Sequence, residues 1–271
     1  MRVQKILLIL KEQFSHLGII FRVAQYENKA SYQGHYLGLA WEFLNPLIQI
    51  GIYYLIFGIG VRGNDEVRGV PFIVWMLFGI SCWFFINKAV LDCSKSIQKK
   101  VGMVSKMKFP VSVLPSITIV SLLKTFFVMI GISIVVAFFF GIYPTIYWLQ
   151  IIYYFVALII FLFFFGLLNS TITLLVRDYH IILQSLMRIL FYFSGPIWVI
   201  EEARFPAWVI RMIQLNPFFY IINGFRDAFL SRAFFWEYRT TGLFFWGLTL
   251  LIAILGTHLH LKFRSKFVDL L

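Results

Sequence analysis

The chain has few charged side chains for its length. Asp, Glu, Lys and Arg make up 13% of the 271 residues, whereas hydrophobic residues make up 61%. A typical soluble domain has about 25% charged residues, so this composition cannot provide a water-facing surface around a folded core. The sequence excludes a soluble globular protein and predicts one that lies in a membrane.

Acidic residues are especially scarce. There are 12 Asp and Glu against 24 Lys and Arg, which gives a formal net charge of +12. Such an excess indicates either a nucleic-acid partner or the cytoplasmic edge of a membrane protein. With a cytoplasmic N-terminus, 17 of the 24 basic residues fall in residues 1 to 42, 88 to 124, 177 to 188 and 262 to 271. This asymmetry predicts that both termini are cytoplasmic and that no nucleic acid is bound.

Several chemical motifs are missing. Gly is nowhere followed by Lys, so the phosphate-binding loop G-x-x-x-x-G-K-[ST] is absent and a partner would have to handle ATP. Cys82 and Cys93 lack C-x-x-C spacing, which favours buried or reduced thiols over a disulfide or a metal site. His258 and His260 are two apart and point to different helix faces, which favours interfacial histidines over a metal pair.

Six charge-poor segments have the length of a membrane span. A helix crosses a bilayer core of about 30 Å with about 20 residues. The segments are residues 43 to 61, 69 to 87, the two halves of 125 to 176, 179 to 200 and 240 to 261. Gly141 and Pro144 turn the chain within the charge-free run 125 to 176. The predicted fold is an all-α polytopic membrane protein, with residues 1 to 271 forming one transmembrane domain.

Two other segments are predicted to be helical without crossing the membrane. Residues 1 to 30 carry an apolar stripe at helical spacing, which predicts an amphipathic helix in the membrane interface. That stripe includes Leu10, Phe14, Leu17 and Phe21. Residues 201 to 239 are interrupted by Asn216, Pro217 and Gly224 and carry several arginines, which predicts a pair of re-entrant or surface-lying outer helices.

Residues 92 to 108 form an amphipathic stretch after the second span. Apolar side chains recur there at helical spacing between lysines. The apolar positions are Ile97, Val101, Val104 and Met107, and Lys99 and Lys100 lie beside them. A short helix of this kind lies on lipid headgroups or docks into a groove of a soluble subunit, and periodicity alone leaves both interpretations open.

The spans contain few groups that could carry chemistry. Glu42, Asp92 and Asp178 are each isolated in sequence from another acid, which does not favour a membrane enzyme. Lys124 and Arg188 lie within apolar segments. Each either extends its head to the headgroup level or contacts a substrate phosphate.

Aromatic residues make up 20% of the chain. Contact with lipid and belts at the headgroup level explain most of them. The alternative is a path for a sugar polymer, because aromatic faces pack against sugar rings. The candidates for such a path are Tyr53, Tyr54, Trp75, Trp83, Phe84, Tyr192, Trp198 and Phe219, together with Lys124 and Arg188.

Four short motifs occur in a characteristic order. They are Leu-Gly-x-x-Trp-x-x-x-x-Pro at 37 to 46, Val-Arg-Asp at 176 to 178, Leu-Asn-Pro-Phe at 215 to 218 and Gly-Phe-Arg at 224 to 226. With this order and topology, the chain resembles the type-2 ABC exporter permeases that move polysaccharides. Residues 104 to 115 and 143 to 150 are similar to the teichoic acid translocation permeases of Gram-positive cell walls.

The resemblance implies the permease subunit of an ATP-driven exporter, which moves lipid-linked teichoic acid from the cytoplasmic to the outer face of the plasma membrane. It implies a separate ATPase subunit that holds ATP and Mg, two copies of each subunit, and no cofactor or catalysis in this chain itself. Residues 92 to 108 would be the coupling helix, residues 1 to 30 the interface helix beside it, and residues 201 to 239 would shape the exit. The alternatives are export of another lipid-linked polysaccharide or of lipophilic drugs, and a stand-alone membrane enzyme acting on lipid-linked sugars.

Overall fold

The computed structural model describes residues 2–32, 36–61, 66–100, 110–199 and 205–267, and these residues are mostly helical. In the described ranges the α-helices are α1 (Arg2–Ser15), α2 (Leu17–Tyr32), α3 (Trp41–Tyr53), α4 (Phe72–Ser94), α5 (Ser96–Lys99), α6 (Leu114–Phe139), α7 (Gln150–Leu175), α8 (Tyr179–Phe193), α9 (Ala207–Gln214), α10 (Pro217–Phe229) and α11 (Arg239–Phe263). A π-helical segment, Tyr54–Val61, continues α3. The all-α class predicted from the sequence is confirmed.

A small hairpin joins α3 to α4. Strand β1 (Glu66–Val67) pairs antiparallel with β2 (Val70–Pro71). Arg68 and Gly69 form the two-residue turn, and their φ angles of 53° and 76° are both positive. Two positive φ values in a two-residue loop are typical of a type I′ turn, whose twist matches that of the strands.

Five helical segments are long and apolar enough to cross a membrane. They are Phe43–Gly60, Phe72–Ser94, Val111–Phe139, Ile146–Leu175 and Phe235–Phe263. These correspond to five of the six predicted spans, so the chain is a multi-pass membrane protein. The other predicted span, residues 179 to 200, contains α8, which has 15 residues and is about 22 Å long. The count of six spans therefore stays a prediction.

The end of α4 differs from the prediction. The predicted second span ends at residue 87, before Lys88, but α4 continues through Lys88 and Asp92 to Ser94. Both side chains reach the surface, so their charges do not have to be buried and the helical backbone can continue beneath them. Lys88 therefore belongs to a spanning helix and not to the following loop.

Helix α4 lies at the centre of the main hydrophobic core. It packs against α6, α7 and α10, and the ring of its Phe78 stacks on Phe229 with centroids 4.3 Å apart. Gly166 lets α7 approach closely, because a Cβ atom there would lie 2.9 Å from the Cβ of Cys93. Cys93 and Cys82 are both buried free thiols, as predicted.

A second hydrophobic cluster, which we call the terminal cluster, lies where α2 meets the segment after α11. It joins α2, α5, the start of α6, the end of α7 and the segment after α11. Its buried members are Ile20, Ala24, Ile97, Val111, Val113, Leu114, Ile117, Leu174 and Phe267. Arg264 also donates to Glu12 over 2.6 Å, so α1 and the residues after α11 are at the same end of the bundle.

The predicted helix over residues 1 to 30 is divided into α1 and α2 at His16. The ring Nδ1 of His16 hydrogen-bonds the carbonyl of Glu12, at 2.8 Å. This is the carbonyl that the His16 backbone N–H would take in an uninterrupted α-helix, and that N–H donates instead to Gln13. The side chain thus competes with the helical hydrogen bond and breaks the helix.

Candidate functional site

A cavity of about 300 Å³ opens between α3, α4 and α6. The polar and aromatic residues that line it are Trp41, Asn45, Gln49, Phe84, Phe85, Lys88, Thr125 and Phe126. Trp41, Asn45 and Gln49 are four residues apart, so they share one face of α3. Phe84 and Lys88 share a face of α4 for the same reason. Two helical stripes that face each other therefore build this cavity, which we call the α3–α4–α6 cavity.

The chemistry of this cavity suits a sugar carrying a phosphate. The Lys88 ammonium provides a positive charge and three donors, and the amides of Asn45 and Gln49 provide both donors and acceptors. Trp41 and Phe84 add aromatic faces. Of these residues, only Phe84 belongs to the path predicted from the sequence. The prediction of a loop at Lys88 is wrong, and the four-residue spacing from Phe84 is the signal that the two residues share a helix face.

Helix α8 ends inside the protein and not at its surface. Gly195 has a positive φ of 62°, and Pro196 follows it, so the helix cannot continue. Ser194, Gly195 and Pro196 are buried. The carbonyl groups at a helix end lack partners within the helix, and leaving them unpaired in an apolar interior costs several kcal/mol, on the order of 2–7 for each.

Arg226 of α10 bonds to two carbonyls in the buried turn that follows α8. Its Nη1 donates to the Gly195 carbonyl over 2.8 Å and its Nη2 to that of Pro196 over 2.6 Å. Its Nε donates to the Trp75 carbonyl over 3.1 Å, and the guanidinium lies over the Trp75 ring. Arg226 is 2% exposed. Gly79 makes room for it, because a Cβ atom there would lie 1.9 Å from Nη2.

Two other side chains bond to the last turn of α8. The Asn216 amide nitrogen donates to the Phe193 carbonyl over 3.4 Å and to Ser194 Oγ over 2.9 Å. Its amide oxygen accepts from the backbone N–H of Phe218, which caps α10. Trp198 Nε1 donates to the Tyr192 carbonyl over 2.7 Å. The Leu-Asn-Pro-Phe and Gly-Phe-Arg motifs therefore have a structural explanation, since Asn216 and Arg226 complete the end of α8.

Some of the predicted path residues come together in one aromatic cluster. Tyr53 lies 5.7 Å from Phe84 and 6.0 Å from Phe191, measured between ring centroids. Trp83 lies 5.7 Å from Phe191 but is 3% exposed. Trp75 is equally buried beneath Arg226. The two tryptophans are core residues in this structure, because protein groups cover the faces that the prediction assigned to sugars.

The remaining predicted path residues are dispersed. Those exposed on α6 and α8 are Lys124, Arg188 and Tyr192. Tyr54 and Trp198 are half-buried, and Trp198 is engaged at the end of α8. Phe219 lines a separate pocket of about 150 Å³ with Asp227 and Tyr238. The structure thus brings Tyr53 and Phe84 close to the α3–α4–α6 cavity and leaves these six residues apart from it.

His258 and His260 point to different sides of α11, as their spacing predicted, but the expectation that both are interfacial is wrong for His260. His258 is exposed beside α1, whereas His260 is buried with its Nδ1 3.3 Å from Thr171 Oγ1 of α7. In the part of the chain that the structure describes, no three His, Cys, Asp or Glu side chains are grouped closely enough to hold a metal ion.

The family model of ABC-2 type transporters matches residues 20–230. The chain belongs to the ABC-2 type transporter family. It is similar to the O-antigen export system permease protein RfbA of Myxococcus xanthus, with 26% identity over 85% of each chain. It is also similar to a protein of the same name from Klebsiella pneumoniae, with 25% identity over 90% of this chain and 91% of that one.

Residues 92 to 108, predicted to couple this ABC-2 transporter to an ATPase, expose only some of the side chains expected to face a partner. Ile97 is 1% exposed in the terminal cluster, so it cannot dock on a partner in this conformation. Lys100 also turns inward, where it bonds Glu27 over 2.7 Å. Lys99 is exposed and pairs with Asp92. Val101, Val104 and Met107 lie outside the described residues, as does most of the predicted helix after the single turn of α5.

The N-terminal helices of the ABC-2 transporter carry apolar side chains on two faces. Ile9 and Ile20 point into the bundle, where they are buried, and Gln13 between them bonds Ser112 and Ser116 at the start of α6. The stripe predicted for the membrane interface faces outward. Its exposed members are Phe14, Leu17 and Phe21, and Leu10 is half-buried. An outward apolar face suits the interfacial placement, which stays a prediction.

Proposed function

We propose that this chain is the permease subunit of an ATP-driven exporter of lipid-linked, anionic cell-wall polysaccharide, and of teichoic acid in particular. Membership of the ABC-2 transporter family supports the export class. The names of the relatives support a polysaccharide as the substrate. The observation that carries the proposal is the α3–α4–α6 cavity, where a lysine, two amides and aromatic rings line an opening in a spanning helix bundle.

Lys88 is the main argument for an anionic substrate. A lysine inside a spanning helix is costly unless its charge is used or reaches water. Here its side chain reaches the cavity and not the buried core. A sugar attached to its lipid carrier through phosphate would place its negative charge at Lys88 and its rings against Trp41 and Phe84. The lipid tail would remain in the bilayer.

The partner in this proposal is a separate ABC-type ATPase, with two copies of each subunit and with ATP and Mg held by the ATPase. This chain has no phosphate-binding loop of its own. Binding of ATP would favour one conformation of the complex over another, which is how the nucleotide would drive the polymer outward. The exposed Lys99 and the residues that follow α5 are the proposed contact, with the inward Ile97 anchoring that contact to the terminal cluster.

Orientation and location are also part of the proposal. Helix α1 and the segment after α11 lie at the same end of the bundle, and the positive-inside rule applied to the basic residues supports a cytoplasmic location for that end. Residues 201 to 239, including α9 and α10, would then shape the outer exit. The proposed location is the plasma membrane of a Gram-positive bacterium.

A second candidate substrate is another lipid-linked polysaccharide. The relatives are named as permeases of O-antigen export, and that observation favours a glycan class wider than teichoic acid. Teichoic acid carries a phosphate in each repeat, so it would depend on Lys88 along the whole polymer. A neutral glycan would depend on Lys88 only at its lipid-linked end.

The test is complementation of a strain depleted of this chain. Lys88→Gln removes the charge with little change of length, and we expect about a tenfold lower rate of polymer appearance at the cell surface, as for the loss of about 1.4 kcal/mol of binding. Lys88→Arg keeps the charge and should retain most of the rate. Lys124→Gln is the matched control, because it removes an exposed lysine of α6 that does not line the cavity.

Equal export rates for Lys88→Gln and Lys124→Gln would contradict the assignment of the cavity. Purified chain that modified a lipid-linked sugar without any ATPase would instead support the enzyme alternative. Polymer that accumulates inside the depleted cells, with its chemical repeat determined, would identify the substrate.

A further inference from the structure

A groove of about 150 Å³ lies between α1 and α11, at the end of the bundle that contains the terminal cluster. Its lining consists of Lys5, Ile254, Leu255 and His258. The two aliphatic side chains form one wall, and the two nitrogen-bearing side chains lie at the end nearer the C-terminus of α11. This groove is separate from the α3–α4–α6 cavity.

The contact between the two basic residues places one ring nitrogen of His258 against Lys5. Lys5 Nζ is 3.4 Å from His258 Nδ1. An ammonium group can only donate, so in this arrangement Nδ1 accepts and Nε2 carries the ring N–H. The exposed His258 ring therefore presents an N–H donor next to a full positive charge. Together the pair can bind an anion.

The face of α11 that contains His258 changes from apolar to basic toward the helix end. Leu251, Leu255, His258 and Lys262 follow one another at intervals of four, three and four residues, so they form a single stripe. All four side chains are exposed. An amphiphile with an acyl chain and an anionic headgroup has the same order of properties along the membrane normal.

The two helices have no free carboxylate that would compete with an anion. Helix α11 contains no Asp or Glu, and α1 contains a single acid, Glu12. That carboxylate accepts from Arg264 over 2.6 Å and also from Ser112. The groove is therefore complementary in charge to a phosphate and not to a cationic group.

We propose that this groove binds an anionic phospholipid, from the leaflet at the end of the bundle that contains the terminal cluster. The lipid phosphate would lie against Lys5 and His258, and an acyl chain would lie along Leu255 and Leu251. The bound lipid would connect α1, which leads into the terminal cluster through α2, to the last spanning helix. This site goes beyond the proposed export function and does not depend on which polymer is moved.

The test uses the full chain, purified in detergent and titrated with phosphatidylglycerol, with binding followed by native mass spectrometry. Phosphatidylcholine with the same acyl chains is the neutral control, and inorganic phosphate is the third ligand. We expect phosphatidylglycerol to bind about tenfold more weakly to the double variant Lys5→Gln, His258→Gln than to the wild type. Lys11→Gln, which removes an exposed charge of α1 outside the groove, should change the affinity less than twofold.

A second readout is the melting temperature, because a ligand that binds only the folded protein stabilises it. Phosphatidylglycerol should raise it for the wild type and for Lys11→Gln but not for the double variant, whose melting without added lipid should match the wild type. Equal binding of the two lipids by the wild type would overturn the proposal. So would displacement of phosphatidylglycerol by millimolar phosphate, which would indicate a site for the free anion. The single variants Lys5→Gln and His258→Gln should each give part of the loss.

Discussion

Helices α3 and α4 have similar hydropathy and opposite surroundings. The most apolar stretch of the α3 span has a mean hydropathy of 1.5 with 17% of its residues buried, whereas that of α4 has 1.7 with 78% buried. Hydropathy therefore determines whether a helix can cross a membrane, but it does not determine what the helix contacts. The exposed side chains of α3 must contact lipid or, in the proposed complex, the second copy of the chain. The buried side chains of α4 form the core against which α10 and the end of α8 pack.

Among the changes that test this difference between α3 and α4, loss of the Arg226 side chain should have the largest effect on stability. Arg226→Leu would leave the carbonyls of Gly195 and Pro196 without the donors they have in the structure. We expect a loss of about 3–5 kcal/mol in the free energy of unfolding, because each buried carbonyl that loses its donor costs about 1–3 kcal/mol. Unfolding in detergent at increasing denaturant would measure it.

Arg188→Leu is the matched control for that experiment, because Arg188 is an exposed arginine on α8. Its removal should change stability by about 0.5 kcal/mol or less. If both variants unfold at the same midpoint as the wild type, Arg226 does not hold the broken helix end.

A pair of glycine substitutions compares the two helices directly. Gly79→Ala places a Cβ atom 1.9 Å from Arg226 Nη2, and overpacking of this kind costs about 1–3 kcal/mol. Gly51→Ala in α3 meets no atom within 4 Å. That change should be neutral or stabilise the helix by up to about 1 kcal/mol. Thermal melts of both variants in the same detergent would show it, and equal destabilisation would mean that α3 is as tightly packed as α4.

A smaller effect on the free energy of unfolding is expected from pH, through Asp227 of α10. Asp227 lies in α10, outside the five spanning segments, and burial raises the pKa of its carboxyl to about 6, with Tyr238 and Arg232 opposing the rise. Because the pKa is higher in the folded state, the carboxyl supports folding at low pH, and this contribution is lost as the pH rises through 6. Wild-type stability should fall by about 1 kcal/mol from pH 5 to 7, relative to Asp227→Asn.

Asp178→Asn is the control for the pH series, since Asp178 is exposed at the opposite end of the molecule. It should leave the pH dependence of the wild type unchanged. A wild-type stability that is flat between pH 5 and 7 would show that Asp227 does not titrate in this range.

Most of the spans were predictable because gaps between charges report directly on membrane crossing. The exceptions have physical reasons. A charge was treated as the end of a span, but Lys88 remains in α4 because its long side chain reaches a cavity. The periodicity that marked Ile97 as an apolar position could not tell which neighbour it contacts, and the terminal cluster covers it. The role of Arg226 depends on carbonyls distant in sequence, which no local pattern reveals.

The contacts of Arg226 also have a consequence for synthesis of the chain. Its partner carbonyl on Trp75 lies 151 residues earlier, and those on Gly195 and Pro196 lie 31 and 30 residues earlier. A chain inserted from its N-terminus exposes α4 and the broken end of α8 before α10 has been made. The carbonyls of Gly195 and Pro196 therefore lack these donors until Arg226 has been synthesised. A chain truncated between residues 196 and 226 would therefore keep the carbonyls of Gly195 and Pro196 without their arginine donors.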